Sequence, residues 1–177
     1  NAVAAELADL FGKYRLSEAL MAVYKLFWDE FSSWYLEMIK PAYGQPINKK
    51  VYDTTIGFFD NLLHLLHPFM PFITEELWQH IYDRKEGESI MTAQMESYAD
   101  RNPEQSIQLC NTFDQLKEVI SGIRNIRLQK NIAQKEALEM QVMGENTFLM
   151  SYAEVVKKMG NLTTVSIVNE KPEGAAS

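Results

Sequence analysis

Leu65-Leu66-His67-Pro68-Phe69-Met70-Pro71-Phe72-Ile73-Thr74-Glu75-Glu76-Leu77-Trp78-Gln79 is the stretch that decides how this chain is read. Pro68 and Pro71 each lack a backbone donor and disfavour helix in the residue before them, so the chain must turn here between two helices. The aromatics around them fill the corner. Thr74 is placed to cap the second helix, with Glu75 and Glu76 in a first turn where the helix dipole favours negative charge.

Before this corner, a helix from about Asn48 to Leu66 carries the apolar stripe Val51, Thr55, Phe58, Phe59, Leu62, Leu65 and Leu66. Pro41 and the turn Tyr43-Gly44-Gln45-Pro46 separate it from an earlier helix of about six turns. That helix is expected to start at a Ser17 cap and to bury Leu20, Val23, Phe27, Phe31, Trp34 and Met38. At the very start, Val3, Leu7 and Leu10 mark a helix already under way, stopped by Gly12. Its uncapped beginning is what a piece of a larger protein would show.

After the corner, residues 86–103 read as a polar connection, with a short extended piece at Ser89 to Met91. A long helix follows from Pro103 to about Leu128, with Leu109, Phe113, Leu116, Ile120 and Ile123 on its apolar face. The period then changes. Ala137 to Met143 alternates like a strand with one covered face. Asn146 is placed to cap a helix carrying Phe148, Tyr152, Val155, Val156 and Met159, and Gly160 ends that helix. Leu162 to Val168 is rich in β-branched residues, as strands are. The fold class read from this pattern is mainly α: an antiparallel helix bundle followed by a small α+β (β-α-β) appendage. The expected divisions are a bundle over 1–104, the long helix with the β-α-β unit over 105–170, and a linker over 171–177.

Composition narrows the function. The 177 residues are 46% hydrophobic and 23% charged, the balance of a globular protein. No apolar run reaches the roughly 18–20 residues of a membrane helix, and the first ten residues hold Glu6 and Asp9 rather than a basic leader. Cys110 is the one cysteine, which excludes an intrachain disulfide and a multi-cysteine zinc site. A reducing, cytoplasmic setting fits this. Among His64, His67 and His80, the first two lie one turn apart, but three or four ligands are needed for zinc and no HExxH is present. No glycine-rich phosphate loop occurs.

The formal net charge of −7 argues against a uniformly nucleic-acid-binding surface. The charge is unevenly spread, however. Lys40, Lys49 and Lys50 lie in an acid-free stretch between Glu37 and Asp53, and Arg124, Arg127, Lys130 and Lys135 in another between Glu118 and Glu136.

The opening stretch resembles the helix-bundle anticodon-binding domain of the class I aminoacyl-tRNA synthetases for valine, isoleucine and leucine. Phe27-Trp28-Asp29-Glu30-Phe31-Ser32-Ser33-Trp34-Tyr35-Leu36-Glu37-Met38-Ile39-Lys40 is similar to the valyl branch. So is Ile120-Ser121-Gly122-Ile123-Arg124-Asn125-Ile126-Arg127 followed by strand, helix and strand. The isoleucyl branch is the near alternative within the family. The resemblance implies recognition of the anticodon stem-loop of valine tRNA, with no chemistry and no cofactor in this part. ATP, Mg and valine activation belong to a catalytic core whose His-Ile-Gly-His and Lys-Met-Ser-Lys-Ser types of signature are not in this sequence. The same polypeptide is expected to supply that core and a C-terminal coiled-coil arm, and to work as a monomer.

The candidate RNA contacts follow from charge and spacing. Arg124 and Arg127 are one helical turn apart, and Lys117 lies two turns before Arg124 on nearly the same face. Lys130 and Lys135 extend this stripe past the helix end. Guanidinium planes can stack on splayed bases as well as bind phosphates. Lys40, Lys49 and Lys50 flank one inter-helix turn, and Tyr43 in that turn is the aromatic expected at the surface. Of Phe27, Phe31, Trp34, Phe58, Phe59, Phe69, Phe72 and Trp78, most fall on apolar stripes, so core packing is expected of them rather than base stacking. A helical protein-interaction module without RNA binding would share the same periodicity, but would not need the basic stretches.

Overall fold

The computed structural model describes residues 2–95, 102–144 and 147–169, with Pro103 in backbone only. The chain divides into two compact units at residue 100. It is mostly helical, with one small parallel sheet. None of the described helices is long and apolar enough to cross a membrane.

In the first unit, α1 (Ala2–Gly12) packs on α2 (residues 16–39), α2 on α3 (Lys49–Leu66), and α3 on α4 (Pro71–Ile81). Leu7 and Leu10 meet Ala19 and Val23 in a core that Leu65, Leu66 and Phe69 cover. Leu20, expected in that core, is 39% exposed; Ala19, one residue earlier, takes the buried place. A second cluster gathers Leu63, Trp78 and Ile90.

Helix starts depart from the expected caps. Ser17 caps nothing: α2 begins at Leu16 behind Arg15, whose guanidinium pairs with Glu18. Within α2 the segment Leu26–Leu36 is π-helical, and Ser33 Oγ donates to the Trp28 carbonyl at 2.8 Å, five residues back. At α3 the Asn48 side chain accepts from the Lys50 backbone N–H, a true N-cap. The α4 helix starts at Pro71, three residues before the expected cap, because proline fits a first helical position where no donor is needed. Thr74 is therefore inside the helix and 2% exposed. Its hydroxyl donates to the Met70 carbonyl at 2.8 Å, so His67 Nδ1, 2.8 Å away, is the donor to Thr74.

Residues 89–93 form a turn rather than an extended piece, with the Thr92 and Ala93 N–H groups on the Ser89 carbonyl. Glu75 pins this turn to α4. Its carboxylate accepts from Ser89 Oγ and Gln79 Nε2 at 2.7 Å each and from the Ile90 N–H at 3.2 Å. The Ser89 bond, then the Gln79 bond, holds the Glu75 carboxyl below its ordinary value of 4.5. A lowered acid stabilises the fold above its unfolded-state pKa, and that stabilisation is lost as pH falls through the lowered value. Glu75→Gln is thus expected to lower the urea midpoint at pH 7, with the gap to the unsubstituted chain closing below about 4.5. A gap constant with pH would show that the charge adds nothing.

In the second unit, α5 (Pro103–Gln129) is followed by β1 (Leu138–Met143), α6 (Thr147–Ser151), α7 (Ala153–Gly160) and β2 (Leu162–Val168). The strands pair in parallel, with Met140 opposite Val165 and Met143 opposite Val168. Leu116 of α5 packs with Leu149, Val156 and Val165. Leu109, expected on the buried face of α5, is 62% exposed. The helix expected to follow the strand comes as two pieces, and the Asn146 cap lies outside the described residues, as does the 171–177 linker. Gly160 sits where a Cβ would come within 3.3 Å of Ile123 Cδ1, so its lack of a side chain lets α7 end close against α5.

Candidate nucleic-acid interface

The first basic group lies on and beside the 40–48 connection. Tyr43 at its tip is fully exposed, at 106% of the reference area, and Gly44 takes a positive φ of 77° to make the turn. Lys40, Lys49 and Lys50 are all exposed. The acids bounding this stretch nevertheless reach into it. Glu37 lies 3.4 Å from Lys40, and Asp53 lies 2.8 Å from Lys49. Hydrogen bonding to Asp53, and its charge, raise the Lys49 ammonium above its ordinary 10.5. A window free of acids in sequence is therefore not free of them on a helix, where residues three and four apart are neighbours.

The second group belongs to α5 and the loop after it. Arg124, Lys130 and Lys135 are exposed. Lys117 is half-buried, 2.8 Å from Asp114 and 5.2 Å over the Phe113 ring.

Arg127 corrects the expectation of a surface stripe: it is 1% exposed. Its Nη1 donates to the carbonyls of Ala133 at 3.2 Å and Glu136 at 2.8 Å. Its Nη2 donates to those of Gly160 at 3.0 Å and Asn161 at 2.8 Å. A helical turn separates Arg127 from Arg124, yet three residues advance only about 300° around an α-helix. That difference turns Arg127 toward the core and leaves Arg124 outside.

Sequence reading also missed Asn161. It caps α7 in the left-handed conformation, at φ 51°, and its amide donates to the Gln134 carbonyl at 2.8 Å and the Glu136 carbonyl at 3.3 Å. An asparagine directly after a helix-ending glycine was the available signal. A polar stack around Trp78 went unread as well. The Arg84 guanidinium lies 3.5 Å from the Trp78 ring centroid and 3.4 Å from Asp60. His64 Nδ1 donates to the Asp60 carbonyl at 2.9 Å. No group of three potential metal ligands occurs among the described residues.

This is a mostly helical domain with exposed Lys40, Lys49, Lys50, Lys130 and Lys135 at helix ends and connections. The chain belongs to the family that its residues 1–142 match, the anticodon-binding domain of tRNA ligase. It is 66% identical over 174 residues to the valine–tRNA ligase of Phocaeicola vulgatus, covering 98% of this chain and 19% of that protein. With the valine–tRNA ligase of Bacteroides thetaiotaomicron it shares 61% over 181 residues, covering 100% of this chain and 20% of that protein. The valine–tRNA ligase of Fervidobacterium nodosum is 35% identical over 97% of this chain. The chain thus spans about one fifth of the length of these relatives.

Proposed function

We propose that this chain is the anticodon-binding part of a valine–tRNA ligase, that it binds the anticodon stem-loop of valine tRNA, and that it carries out no chemistry itself. The observation that carries the reading is its identity of 66% and 61% to two valine–tRNA ligases over nearly its whole length. Activation of valine with ATP and magnesium is assigned to the remaining four fifths of such a protein, with this part helping to choose the tRNA. The helices of the first unit are read as an up-and-down antiparallel bundle, which their short connections support.

Within this reading, Lys50 and Tyr43 on one connection, and Arg124, Lys130 and Lys135 at the end of α5, meet the RNA. Lys40, Lys49 and Lys117 contribute less, because nearby carboxylates already offset part of their charge. Arg127, being buried, does not touch the RNA.

The test is binding of the chain to valine tRNA, with isoleucine tRNA beside it, over a salt series. Preferential binding that weakens as salt rises is the expected result. Preference for isoleucine tRNA would move the chain to the isoleucyl branch. Absence of binding at low salt would favour a protein-interaction module. The Lys130→Ala/Lys135→Ala double variant is expected to weaken binding and to reduce the slope of log K against log salt by roughly 0.7–0.9 for each phosphate that loses its lysine. An unchanged slope would place the RNA elsewhere.

A further inference from the structure

We propose that Arg127 is a positioning residue: its buried guanidinium holds the 130–136 loop in one shape and so fixes where Lys130 and Lys135 meet RNA phosphates. The proposal rests on the RNA reading of that loop. It adds a role for a residue that cannot touch RNA while it stays 1% exposed.

The geometry is specific to the loop. Three of its carbonyls are held from inside. Arg127 takes Ala133 and Glu136, and the Asn161 amide takes Gln134 and shares Glu136. Lys135 lies between two of these held carbonyls and is itself exposed. At the other end, the Lys130 N–H closes on the Ile126 carbonyl, and Asn131 reverses the chain at φ 58°. The Ile132 N–H then returns to the Arg127 carbonyl at 2.9 Å. Both lysines therefore project from a backbone fixed on its inner side.

No carboxylate pairs with Arg127 among the described residues. Its charge is instead met by carbonyl dipoles, two of them at the C-terminal end of α7, where the helix dipole is negative. A forked, planar donor can serve four carbonyls in two directions, and a point-charge ammonium cannot. A loop ordered before binding loses less freedom when it binds. The clamp thus acts on affinity through the two lysines and not by touching RNA itself.

The experiment is a mutant cycle on the 177-residue chain, combining Arg127→Lys with Lys130→Ala/Lys135→Ala. It is read by valine tRNA binding and by amide hydrogen exchange of the RNA-free chain. Arg127→Lys is expected to speed exchange over 131–136 and to weaken binding by roughly twofold or more, the lower end of coupling within one network. In that background, removing the two lysines is expected to cost clearly less than it does in the unsubstituted chain. Asn161→Gly keeps the left-handed turn, removes the amide, and is expected to show the same pattern more mildly. It carries the cycle if Arg127→Lys does not fold.

An equal cost of the lysine pair in both backgrounds, or unchanged exchange over 131–136, would overturn the proposal and leave Arg127 a purely stabilising residue. Absence of binding by the unsubstituted chain would remove the RNA reading and the positioning role together. The exchange data would still report whether the clamp orders the loop.

Discussion

Arg127→Met is expected to destabilise the second unit by about 2–4 kcal/mol, because it leaves buried backbone acceptors without a donor and no charge behind. Methionine fills much of the arginine volume but donates nothing. The carbonyls of Ala133, Glu136, Gly160 and Asn161 all lose their guanidinium partner at once. A buried acceptor left unpaired costs about 1–3 kcal/mol. Water can reach the carbonyls of Ala133, Glu136 and Asn161, whose residues are exposed, but not that of Gly160, which is buried. The expected cost therefore lies below the full sum of four orphaned groups. Urea unfolding followed by circular dichroism measures the loss. All three tryptophans lie in the first unit, so their fluorescence follows that unit separately. A change under about 1 kcal/mol would mean that water replaces the guanidinium without penalty.

Trp78→Ala should cost about 4 kcal/mol, within the range for deleting a buried aromatic. The indole is 3% exposed and packs with Leu63 and Ile90. It also underlies Arg84, 3.5 Å from the ring centroid, and His64 meets it edge-on with centroids 6.4 Å apart. Its Nε1–H has no hydrogen-bond partner among the described residues, so the loss is one of packing and of the cation–π interaction. Trp78→Phe keeps a ring beneath Arg84 and removes the unpaired N–H. It is expected to cost about 1.5 kcal/mol or less, as near-conservative core exchanges do. Equal losses in the two variants would show that the full indole, and not merely a ring beneath Arg84, carries the stability.

Helix positions were legible because apolar spacing survives folding nearly unchanged. The residues of α3 and α5 and both strands fall within a residue or two of where periodicity places them. Caps were less legible, because a cap is decided by competition between neighbours. Thr74 and Pro71 both suit a helix start, and proline came first in the chain. Single burial assignments failed by one position, as with Leu20 and Ala19, because an apolar stripe is broader than the line of true packing. The exposure of Tyr43, Lys50, Arg124, Lys130 and Lys135 was legible from charge and position in the chain. Arg127 misled because arginine is mostly exposed, and only tertiary structure delivers four carbonyls to one guanidinium. Its partners at Gly160 and Asn161 are 33 and 34 residues away in sequence, so no local pattern announces them.

The π-helical stretch of α2 has a geometric consequence for how that helix is spelled. In an α-helix, four residues overshoot a full turn by about 40°, so side chains spaced by four wander around the cylinder. Wider turns, closed by bonds five residues apart, advance each residue by less and so bring side chains spaced by four back from that overshoot. Phe27, Phe31 and Tyr35 are spaced by four across this segment, and successive rings lie 6.2 and 5.6 Å apart. Phe59 of α3 meets the first two of them. In this wider winding the four-residue rhythm runs as one column of neighbouring rings. A single deleted residue within Leu26–Leu36 would tighten the winding and throw the lower half of the column out of step, even with every aromatic still present.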